Sequence, residues 1–195
     1  MAEHHLNTPF SEEVIRSLHV GDIVYFDGTL FGIRDLTQIY MFDQGNVPPV
    51  SLEGMPCIHT APSLKKVGDR WEKICVGTTT STRMDRFSPG LIGQYGVRAI
   101  IGKGGLYEDS LKAMQEHGAV YLAITGGAAA LETQQIEEIE AVYWEHLHPE
   151  ALYKFRVKDF GPLTVAMDSH GRHLYFEVRD QTAKKLPGIY EKLGI

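Results

Sequence analysis

The sequence predicts a single α/β domain built around a mixed, largely parallel sheet. Three observations support this class. From Trp71 to Gln135, short apolar runs alternate with helical patterns, which is typical of parallel βαβ units. The last third of the chain instead carries apolar runs separated by turn residues, as in a set of strands. No repeat, low-complexity segment or linker divides the chain, so one domain over residues 1–195 is expected.

The first third favours a short helix, a hairpin and a second helix. Ser11 is a typical N-cap residue and is followed directly by two acids. Asp27-Gly28 is a strong hairpin signal between two apolar runs. The expected elements are a helix after Ser11, strands Ile23–Phe26 and Thr29–Ile33, a helix Leu36–Phe42, a strand Cys57–Thr60 and a loop Ala61–Arg70.

The middle and last thirds differ in rhythm. Ser88-Pro89 predicts the cap and first position of a helix. The alternating segment is expected to contain strands Lys73–Val76, Val97–Ile101 and Val120–Ile124, each followed by a helix, at Pro89–Tyr95, Glu108–His117 and Ala128–Gln135. The C-terminal segment predicts strands Ile139–Trp144, Leu152–Val157, Leu163–Met167 and Leu174–Val178, then an amphipathic helix from Gln181 to Leu186 or beyond.

Composition and charge argue against several classes of function. The formal net charge is −6 without a run of Lys or Arg, which disfavours a nucleic-acid or anionic membrane surface. The apolar runs are much shorter than a membrane span, and the N-terminus lacks a signal-peptide pattern. Cys57 and Cys75 form no CxxC pair, so both are expected to be small core residues in a reducing cytoplasm. Two cysteines cannot by themselves hold a cubane iron–sulfur cluster.

The most informative segment is the hydroxyl loop, which we define as residues 77–83 (Gly-Thr-Thr-Thr-Ser-Thr-Arg). Its backbone amides, hydroxyls and one guanidinium can converge on an anion where a strand ends and a helix begins. Two interpretations of Arg83 remain open, a surface ion pair with Asp85 and a clamp for a carboxylate or phosphate. The run Thr78–Thr80 could also extend the strand before it, since Thr is a good strand former.

A second candidate anion loop surrounds Lys103, between Gly102 and Gly104. Its spacing fails both the P-loop and the dinucleotide-binding pattern. A flexible backbone presenting one ammonium remains, either as an anion contact or as a plain turn. Together with Arg34 and Arg83, Lys103 would suit a small dianion, and a dicarboxylate fits better than a nucleotide because no phosphate cradle is present.

Several other polar groups favour structural interpretations. The Arg34-Asp35 pair by itself is typical of an ion pair at a helix start. The histidine pairs lack a further ligand nearby and indicate solvated turns rather than metal sites. Gly126-Gly127 indicates close packing, with a third anion loop as the alternative. The histidine pairs are His146/His148 and His170/His173, and the acids Glu137, Glu138 and Glu140 are expected on a solvated face.

The motifs resemble a known family, the β subunits of class I iron–sulfur fumarate hydratases and L(+)-tartrate dehydratases. The resemblance rests on Val20-Gly-Asp, Gly28-Thr-Leu, Arg34-Asp35, Gly77-Thr-Thr-Thr-Ser-Thr-Arg-Met-Asp-Arg-Phe87, Ile101-Gly-Lys-Gly-Gly-Leu106, Gly126-Gly-Ala-Ala129 and Phe160-Gly-Pro-Leu-Thr-Val-Ala-Met-Asp-Ser-His-Gly171. These motifs follow in order over nearly the whole chain.

The resemblance implies a swivelling β/β/α domain that pairs with a larger α subunit, expected as an α₂β₂ assembly. That subunit would carry a [4Fe-4S] cluster, while this chain would bind no metal. The implied reaction is reversible hydration of fumarate to malate, or dehydration of tartrate. The family pattern maps Thr79 onto the base for the C–H proton, with Arg34 and Lys103 as further catalytic groups, and Arg83, Thr80, Ser81, Thr78 and Gln38 as substrate contacts.

Two positions depart from the family pattern. Thr78 stands where the family often has Pro, and Gln38 stands where the element RDxxH ends in His. Gln cannot transfer a proton near neutral pH. Either the family His orients rather than reacts, or the substrate differs, or activity is lost; the first two are favoured. Fumarate is the expected substrate only because that activity is widespread. A stand-alone dicarboxylate-binding module is the alternative, and a structural regulatory subunit is a weaker one.

Overall fold

The computed structural model describes residues 1–194, which form a seven-stranded mixed sheet, a separate two-stranded sheet and surrounding helices. The strands are β1 Glu3–Asn7, β2 Ile23–Ile33, β3 Pro56–His59, β4 Ser63–Val67, β5 Arg70–Cys75, β6 Ala99–Gly102, β7 Val120–Ala123, β8 Ile136–Tyr143 and β9 Leu152–Met167. The α-helices are α1 Glu12–Arg16, α2 Asp35–Gln38, α3 Ser88–Gly93, α4 Glu108–His117 and α5 Leu174–Leu193.

Shorter helical turns complete the element order. A π-helix continues α2 at Ile39–Asp43, so the helix expected at Leu36–Phe42 is present with a change of winding. Turns of 3₁₀-helix cover Thr82–Phe87, Ala128–Gln135 and Glu145–Glu150. The segment Ala128–Gln135 is therefore helical as expected, but it winds as 3₁₀-helix.

Five strands of the large sheet close into a ring. The sheet order is β1-β2-β3-β6-β7-β9-β8, and β2 also pairs with β9. The neighbours β1/β2, β2/β3, β3/β6 and β6/β7 are parallel, whereas β9 is antiparallel to β2, β7 and β8. The predicted α/β class with a mixed sheet is confirmed. Closing the sheet leaves β1 and β8 at its edges and protects the central strands.

The core lies on both faces of the central strands. Ile101 and Leu122 belong to one buried cluster, whereas their neighbours Ile100 and Tyr121 belong to a second cluster with Met114 of α4. Successive strand residues point to opposite faces, so a strand covered on both sides needs apolar residues throughout. This explains the continuous apolar runs from which β6 and β7 were predicted.

Helices α1 and α4 confirm the cap analysis. The Ser11 hydroxyl accepts a hydrogen bond from the backbone N–H of Val14 at 3.2 Å. Helix α4 has the predicted bounds and ends at Gly118, which adopts φ +68°. A left-handed C-terminal residue is favourable for glycine because it has no Cβ. Helix α3 begins at Ser88 with Pro89 in its first turn, so Ser88 lies one position inside the helix rather than capping it.

The predicted hairpin at Asp27-Gly28 is wrong. Residues Ile23–Ile33 form one strand, and β9 pairs along it with register shifts on both sides of Phe26. Gly28 adopts φ +112°, and a Cβ there would lie 2.3 Å from the Thr8 hydroxyl. The local turn signal therefore marks an irregular, crowded point in a strand, because pairing with β9 and contact with Thr8 override the turn preference.

The predicted loop at Ala61–Arg70 is also wrong. Strands β4 and β5 form an antiparallel hairpin there, turning at Gly68 with φ +61°. The strand predicted at Lys73–Val76 mostly belongs to this hairpin and not to the large sheet. The half-buried side chains of Leu64 and Trp71 lie among charged residues, including the consecutive Lys65 and Lys66, so the sequence shows no clear period-two pattern along this pair.

The two ends of the chain differ from the expected strands in three ways. The two strands predicted at Leu152–Val157 and Leu163–Met167 are one long strand, β9. The strand predicted at Leu174–Val178 is the start of α5, where the His173 ring accepts from the N–H of Phe176. Strand β1 was missed at Glu3–Asn7; its pairing with β2 supplies the order that its polar sequence does not indicate.

Some expected surface and core groups also lie elsewhere. His173 is buried and hydrogen-bonded to the Leu106 carbonyl at 2.9 Å, so it is not in a solvated turn. Cys57 is fully buried as expected, but Cys75 is only half-buried. The acids of β8 form partly exposed ion pairs with Lys154 and Arg156. Within residues 1–194, no helix combines the length and apolarity needed to cross a membrane.

Candidate functional site

The sequence-predicted site residues gather where four parallel strands end. Arg34 follows β2, His59 ends β3, Lys103 follows β6, and Gly126 lies just beyond β7. These strands are neighbours in the ring, so their carboxyl ends lie along one edge. Open and closed parallel sheets commonly place ligand sites at this edge, because the loops there converge. The hydroxyl loop lies between the ends of β3 and β6.

Backbone hydrogen bonds hold the hydroxyl loop on both sides. The N–H of Thr79 donates to the His59 carbonyl at 2.8 Å, and the N–H of Ser81 donates to the Lys103 carbonyl at 2.8 Å. Bridges also pair Thr80 with Lys103. The loop is therefore extended and strand-like without belonging to a named strand, so both interpretations of its threonines capture part of its geometry. Its backbone is well ordered for presenting side chains.

Arg83 is the centre of the charged part of the site. Its Nε and Nη2 donate to the two carboxylate oxygens of Asp35, each at 2.8 Å. Nη2 also donates to the Thr79 hydroxyl oxygen at 3.0 Å, and Nη1 to the Thr80 carbonyl at 3.2 Å. The predicted alternative of an ion pair with Asp85 is wrong, because Asp85 instead accepts from the start of α4.

Arg34 joins the same cluster through Asp35. Its Nε lies 3.2 Å from Asp35 and 3.5 Å from a carboxylate oxygen of Glu150. The helix-start ion pair is thus confirmed, but it is also the link between two arginines. Both guanidinium groups remain partly exposed, with 32% of the Arg34 side chain and 44% of the Arg83 side chain accessible.

Charge pairing fixes the protonation states of this cluster. Burial alone would raise the pKa of Asp35, but hydrogen bonds and charge from Arg83 and Arg34 outweigh it and lower that pKa. The hydrogen bond to Asp35 in turn raises the pKa of Arg83. Asp35 and Arg83 are therefore ionised throughout the neutral range. A guanidinium donating to the Thr79 hydroxyl oxygen stabilises negative charge on that oxygen, which favours it as a proton acceptor.

Lys103 is bridged to Thr80 of the hydroxyl loop, and its side chain lies against Gly126. A Cβ on Gly126 would lie 3.2 Å from the Lys103 ammonium nitrogen, so the glycine leaves room for that side chain. The interpretation of Gly126-Gly127 as a close-packing element is supported at Gly126. Lys103 is half-buried, and its backbone is fixed by Thr80 and Ser81.

Three predicted substrate contacts point into the protein. The buried hydroxyl of Thr78 donates to the His59 carbonyl at 3.1 Å. The hydroxyl of Ser81 is fully buried and bonds to His59 and Tyr121. The Gln38 amide is fully buried, and its nitrogen donates to the Arg34 carbonyl at 3.3 Å. These side chains support the site from below, whereas Thr79, Thr80 and Arg83 form its outer surface.

The sequence interpretation missed His59 and Tyr121 and undervalued Asp35. His59 is fully buried beneath the hydroxyl loop, and burial lowers the pKa of its imidazole to about 3. Its Nδ1 lies 2.9 Å from the Ser81 hydroxyl. The available signal was its position at the end of an apolar strand, where a polar residue needs a buried partner. That partner lies 22 residues away in the chain, so local spacing does not reveal it.

The donor set of this chain does not fit an iron–sulfur cluster. Cys57 is fully buried, which raises the pKa of its thiol and disfavours the thiolate that iron requires, and Cys75 is only half-buried. No group of three or more potential metal ligands occurs within residues 1–194. We therefore derive no step through a cluster held by this chain.

Comparisons with known proteins give consistent results for this chain. A family model described as "Fumarase C-terminus" matches residues 1–178. The L(+)-tartrate dehydratase subunit beta of Escherichia coli strain K12 is 38% identical over 189 residues, covering 96% of this chain and 94% of that protein. A protein of Methanocaldococcus jannaschii, provisionally named as the same subunit, is 40% identical over 88% of this chain and 91% of its own length.

A longer relative matches as well. A protein of Geobacillus stearothermophilus, provisionally named fumarate hydratase class I, is 39% identical over 95% of this chain but only 36% of its own length. The region shared with this chain is thus about a third of that longer protein, whereas it is nearly the whole of the two subunits named above.

Proposed function

Because the chain belongs to the fumarase C-terminus family and is the β subunit of a hydro-lyase of the tartrate dehydratase and class I fumarate hydratase type, we propose that it contributes one half of a dicarboxylate site whose other half lies on an α subunit. The single observation that carries this proposal is the Arg83 cluster. There, a guanidinium fixed by Asp35 also donates to the hydroxyl of the candidate base, Thr79.

The charge of the cluster supports a half-site. Arg34, Arg83 and Lys103 are countered by Asp35 and Glu150, which leaves one net positive charge for a substrate with two negative ones. Two carboxylates need more positive charge or more donors than this chain presents. The remaining groups would come from the α subunit, which also agrees with the open position of the site at a sheet edge.

The chain's own residues have distinct roles in the proposal. Arg83 and Lys103 bind substrate carboxylates, and Arg34 contributes charge through the shared Asp35. Thr79, as its alkoxide, accepts the C–H proton next to a carboxylate and becomes the neutral hydroxyl, and Arg83 stabilises the alkoxide before the transfer. Thr80 borders the substrate, and the inward side chains of Thr78, Ser81 and Gln38 hold these groups in place. Preorganised cations also stabilise the charge that develops on the carboxylate as the proton leaves.

The cofactor belongs to the α subunit in this proposal. A [4Fe-4S] cluster there would supply a Lewis acid for the substrate hydroxyl that leaves as water. Nothing in the roles above requires this chain to contact iron.

We propose L(+)-tartrate as the first substrate and fumarate as the second. The two β-subunit relatives named for tartrate dehydratase match nearly end to end, whereas the relative named for fumarate hydratase is a longer chain. Dehydration of tartrate removes a C–H proton and the hydroxyl on the neighbouring carbon, giving an enol that becomes a keto diacid. This preference reverses the expectation from the sequence alone, where fumarate was favoured by its frequency.

We further propose that residues 1–195 are one domain, that the assembly is α₂β₂, and that the enzyme works in the cytoplasm. The test is anaerobic co-purification with the cysteine-bearing α subunit, followed by iron analysis and rate measurements with L(+)-tartrate, malate and fumarate. Turnover of one of these diacids by an iron-containing assembly would support the proposal, and their relative kcat/KM would identify the substrate. An isolated chain that binds fumarate tightly in calorimetry, with no turnover in any assembly, would favour the stand-alone binding module.

A further inference from the structure

A buried hydrogen-bonded chain lies beneath the hydroxyl loop. The hydroxyl of Tyr121 donates to the Ser81 oxygen at 3.0 Å, and the Ser81 oxygen lies 2.9 Å from Nδ1 of His59. All three residues are fully buried. They come from β7, the hydroxyl loop and β3, so this series of hydrogen bonds joins three of the segments that form the site.

Taking the Tyr121 hydroxyl as the donor leaves the fewest polar groups of this hydrogen-bonded series without a partner. Ser81 accepts the Tyr121 proton, and its own proton then has one acceptor among its described partners, Nδ1 of His59. A neutral imidazole carries its proton on the nitrogen that does not accept. Burial keeps the ring neutral by lowering its pKa. His59 is therefore the tautomer with the proton on Nε2.

Nε2 of His59 has no hydrogen-bond partner among residues 1–194, although it is buried. The same is true of Oε1 of Gln38. The Gln38 amide nitrogen donates to the Arg34 carbonyl, which fixes the amide orientation and leaves Oε1 as an acceptor. One atom is thus a donor without an acceptor, and the other is an acceptor without a donor.

The two side chains come from neighbouring elements. His59 is paired in register with Ile33, the last residue of β2, and Arg34 and Gln38 follow directly on that strand. Buried polar atoms are almost always paired in native proteins. A hydrogen bond between these two atoms, formed with the bonds to Ser81 and to the Arg34 carbonyl kept, would satisfy both and would tie the ends of β2 and β3 together beside Arg34.

We propose that His59 is a positioning residue of the hydro-lyase site, donating from Nε2 to Oε1 of Gln38 in the working enzyme and so orienting the segment that carries Arg34. The proposal rests on the proposed function for its kinetic part. It also explains how Gln38 can replace the family histidine, because this position requires a hydrogen-bond acceptor and not a proton-transfer group.

The tautomer is tested on the full chain by long-range ¹H–¹⁵N NMR with labelled histidine, assigning His59 by its loss in His59→Gln. We expect a single Nε2–H tautomer that does not titrate at neutral pH. Ser81→Ala should abolish the single tautomer, whereas the matched control Ser88→Ala, at another fully buried serine, should keep it. An Nδ1–H tautomer, or a His59 that titrates near neutral pH, would overturn the proposal.

The positioning role is tested in the assembled enzyme with L(+)-tartrate and fumarate. His59→Gln keeps an N–H near the position of Nε2, whereas His59→Asn cannot reach it. We expect kcat to fall about 100-fold in His59→Asn, as for a misplaced catalytic group, with KM changing much less, and we expect substantial rescue in His59→Gln. Adding Gln38→Met to His59→Asn should cause little further loss, because the partner is already absent.

Equal losses in the Asn and Gln variants, or losses that multiply in the double variant, would overturn the positioning role. Thermal unfolding of each variant separates these results from misfolding, and Ser81→Ala provides a second way to disturb His59 without replacing it. A wild-type assembly that converts no diacid would instead overturn the proposed function, and the NMR result would still decide whether the buried chain has the proposed direction.

Discussion

Arg83→Lys separates catalytic positioning from simple charge at the centre of the site. The substitution keeps one positive charge but removes the planar fork that holds both oxygens of Asp35 and reaches the Thr79 hydroxyl. A single ammonium cannot make these bonds together. The expected result is an enzyme that still folds and binds a diacid but no longer holds Thr79 in place.

The magnitude follows from the bonds that are lost. A hydrogen bond from a charged donor contributes about 1.5–3 kcal/mol. Loss of the one to Thr79 should lower kcat/KM about 10- to 150-fold. The effect on stability should be much smaller, because the Arg83 side chain is 44% exposed and exposed ion pairs contribute only about 0–1 kcal/mol. Activity and stability should therefore change by different amounts.

Arg86→Lys is the matched control. Arg86 lies on the same 3₁₀ turn and makes its own two-bond pair with Asp43, at 3.0 and 2.5 Å, but it has no hydrogen bond to the hydroxyl loop in the described part of the chain. Initial rates of both assembled variants are compared with their thermal unfolding. Equal changes in kcat/KM for the two variants, or an Arg83→Lys enzyme as fast as wild type, would refute the role assigned to Arg83.

Three further predictions concern His59, Glu132 and Gly126. Burial lowers the pKa of His59 to about 3, below the unfolded value of about 6.5. Because the unfolded chain binds more protons between these values, the free energy of unfolding should fall on acidification by up to about 1.4 kcal/mol per pH unit. Urea unfolding of His59→Gln should show a flatter pH profile, and an unchanged slope would contradict this. Burial raises the pKa of Glu132 to about 7, above its unfolded value of about 4.3, so the folded protein loses stability as the pH rises through 7. Glu132→Gln should therefore raise Tm above pH 7.5 and change it little near pH 4.5. A shift in Tm that is uniform over this pH range would argue against titration of Glu132. Gly126→Ala would place a Cβ 3.2 Å from the Lys103 nitrogen and displace that ammonium. KM should rise by up to about tenfold, the full value corresponding to loss of one carboxylate contact worth about 1.4 kcal/mol, with little change in Tm. An unchanged KM would contradict a Lys103 contact that depends on the space left by Gly126.

Local sequence patterns predicted the elements whose ends are determined by residues close in sequence. Helix α4 was predicted at both ends because its periodicity, acidic first turn and terminal glycine all agree. The Asp27-Gly28 turn signal failed because a strand 130 residues later pairs along the whole segment. The β4–β5 hairpin was missed because its outward residues are mostly charged. In both failures the deciding interaction was long-range pairing, which a turn or propensity analysis does not contain.

The candidate site was likewise predictable where it depends on local sequence and not where it depends on long-range contacts. Its loops were predictable, since Gly, Thr, Arg and Lys after apolar runs indicate anion contacts. Their partners were not, because Asp35 meets Arg83 across 48 residues and His59 meets Ser81 across 22. A carboxylate next to an arginine in sequence also looks like a local ion pair, and only the fold reveals that Asp35 serves two arginines.

Four of the five consecutive hydroxyl residues at 78–82 make this point most directly. Thr78, Thr79, Thr80 and Ser81 are nearly equivalent by composition, yet backbone bonds to the ends of β3 and β6 give each a different environment. The hydroxyls of Thr78 and Ser81 turn inward to protein partners, and that of Thr79 meets the Arg83 guanidinium. Since hydrogen bonding to a fixed cation is what makes a threonine oxygen a better proton acceptor, the contact with Arg83, which Asp35 holds in place, selects Thr79 as the candidate base. A shift of the loop by one residue would separate Arg83 from Asp35 and Ser81 from His59, so the outer chemistry and the inner support of the site depend on the same alignment.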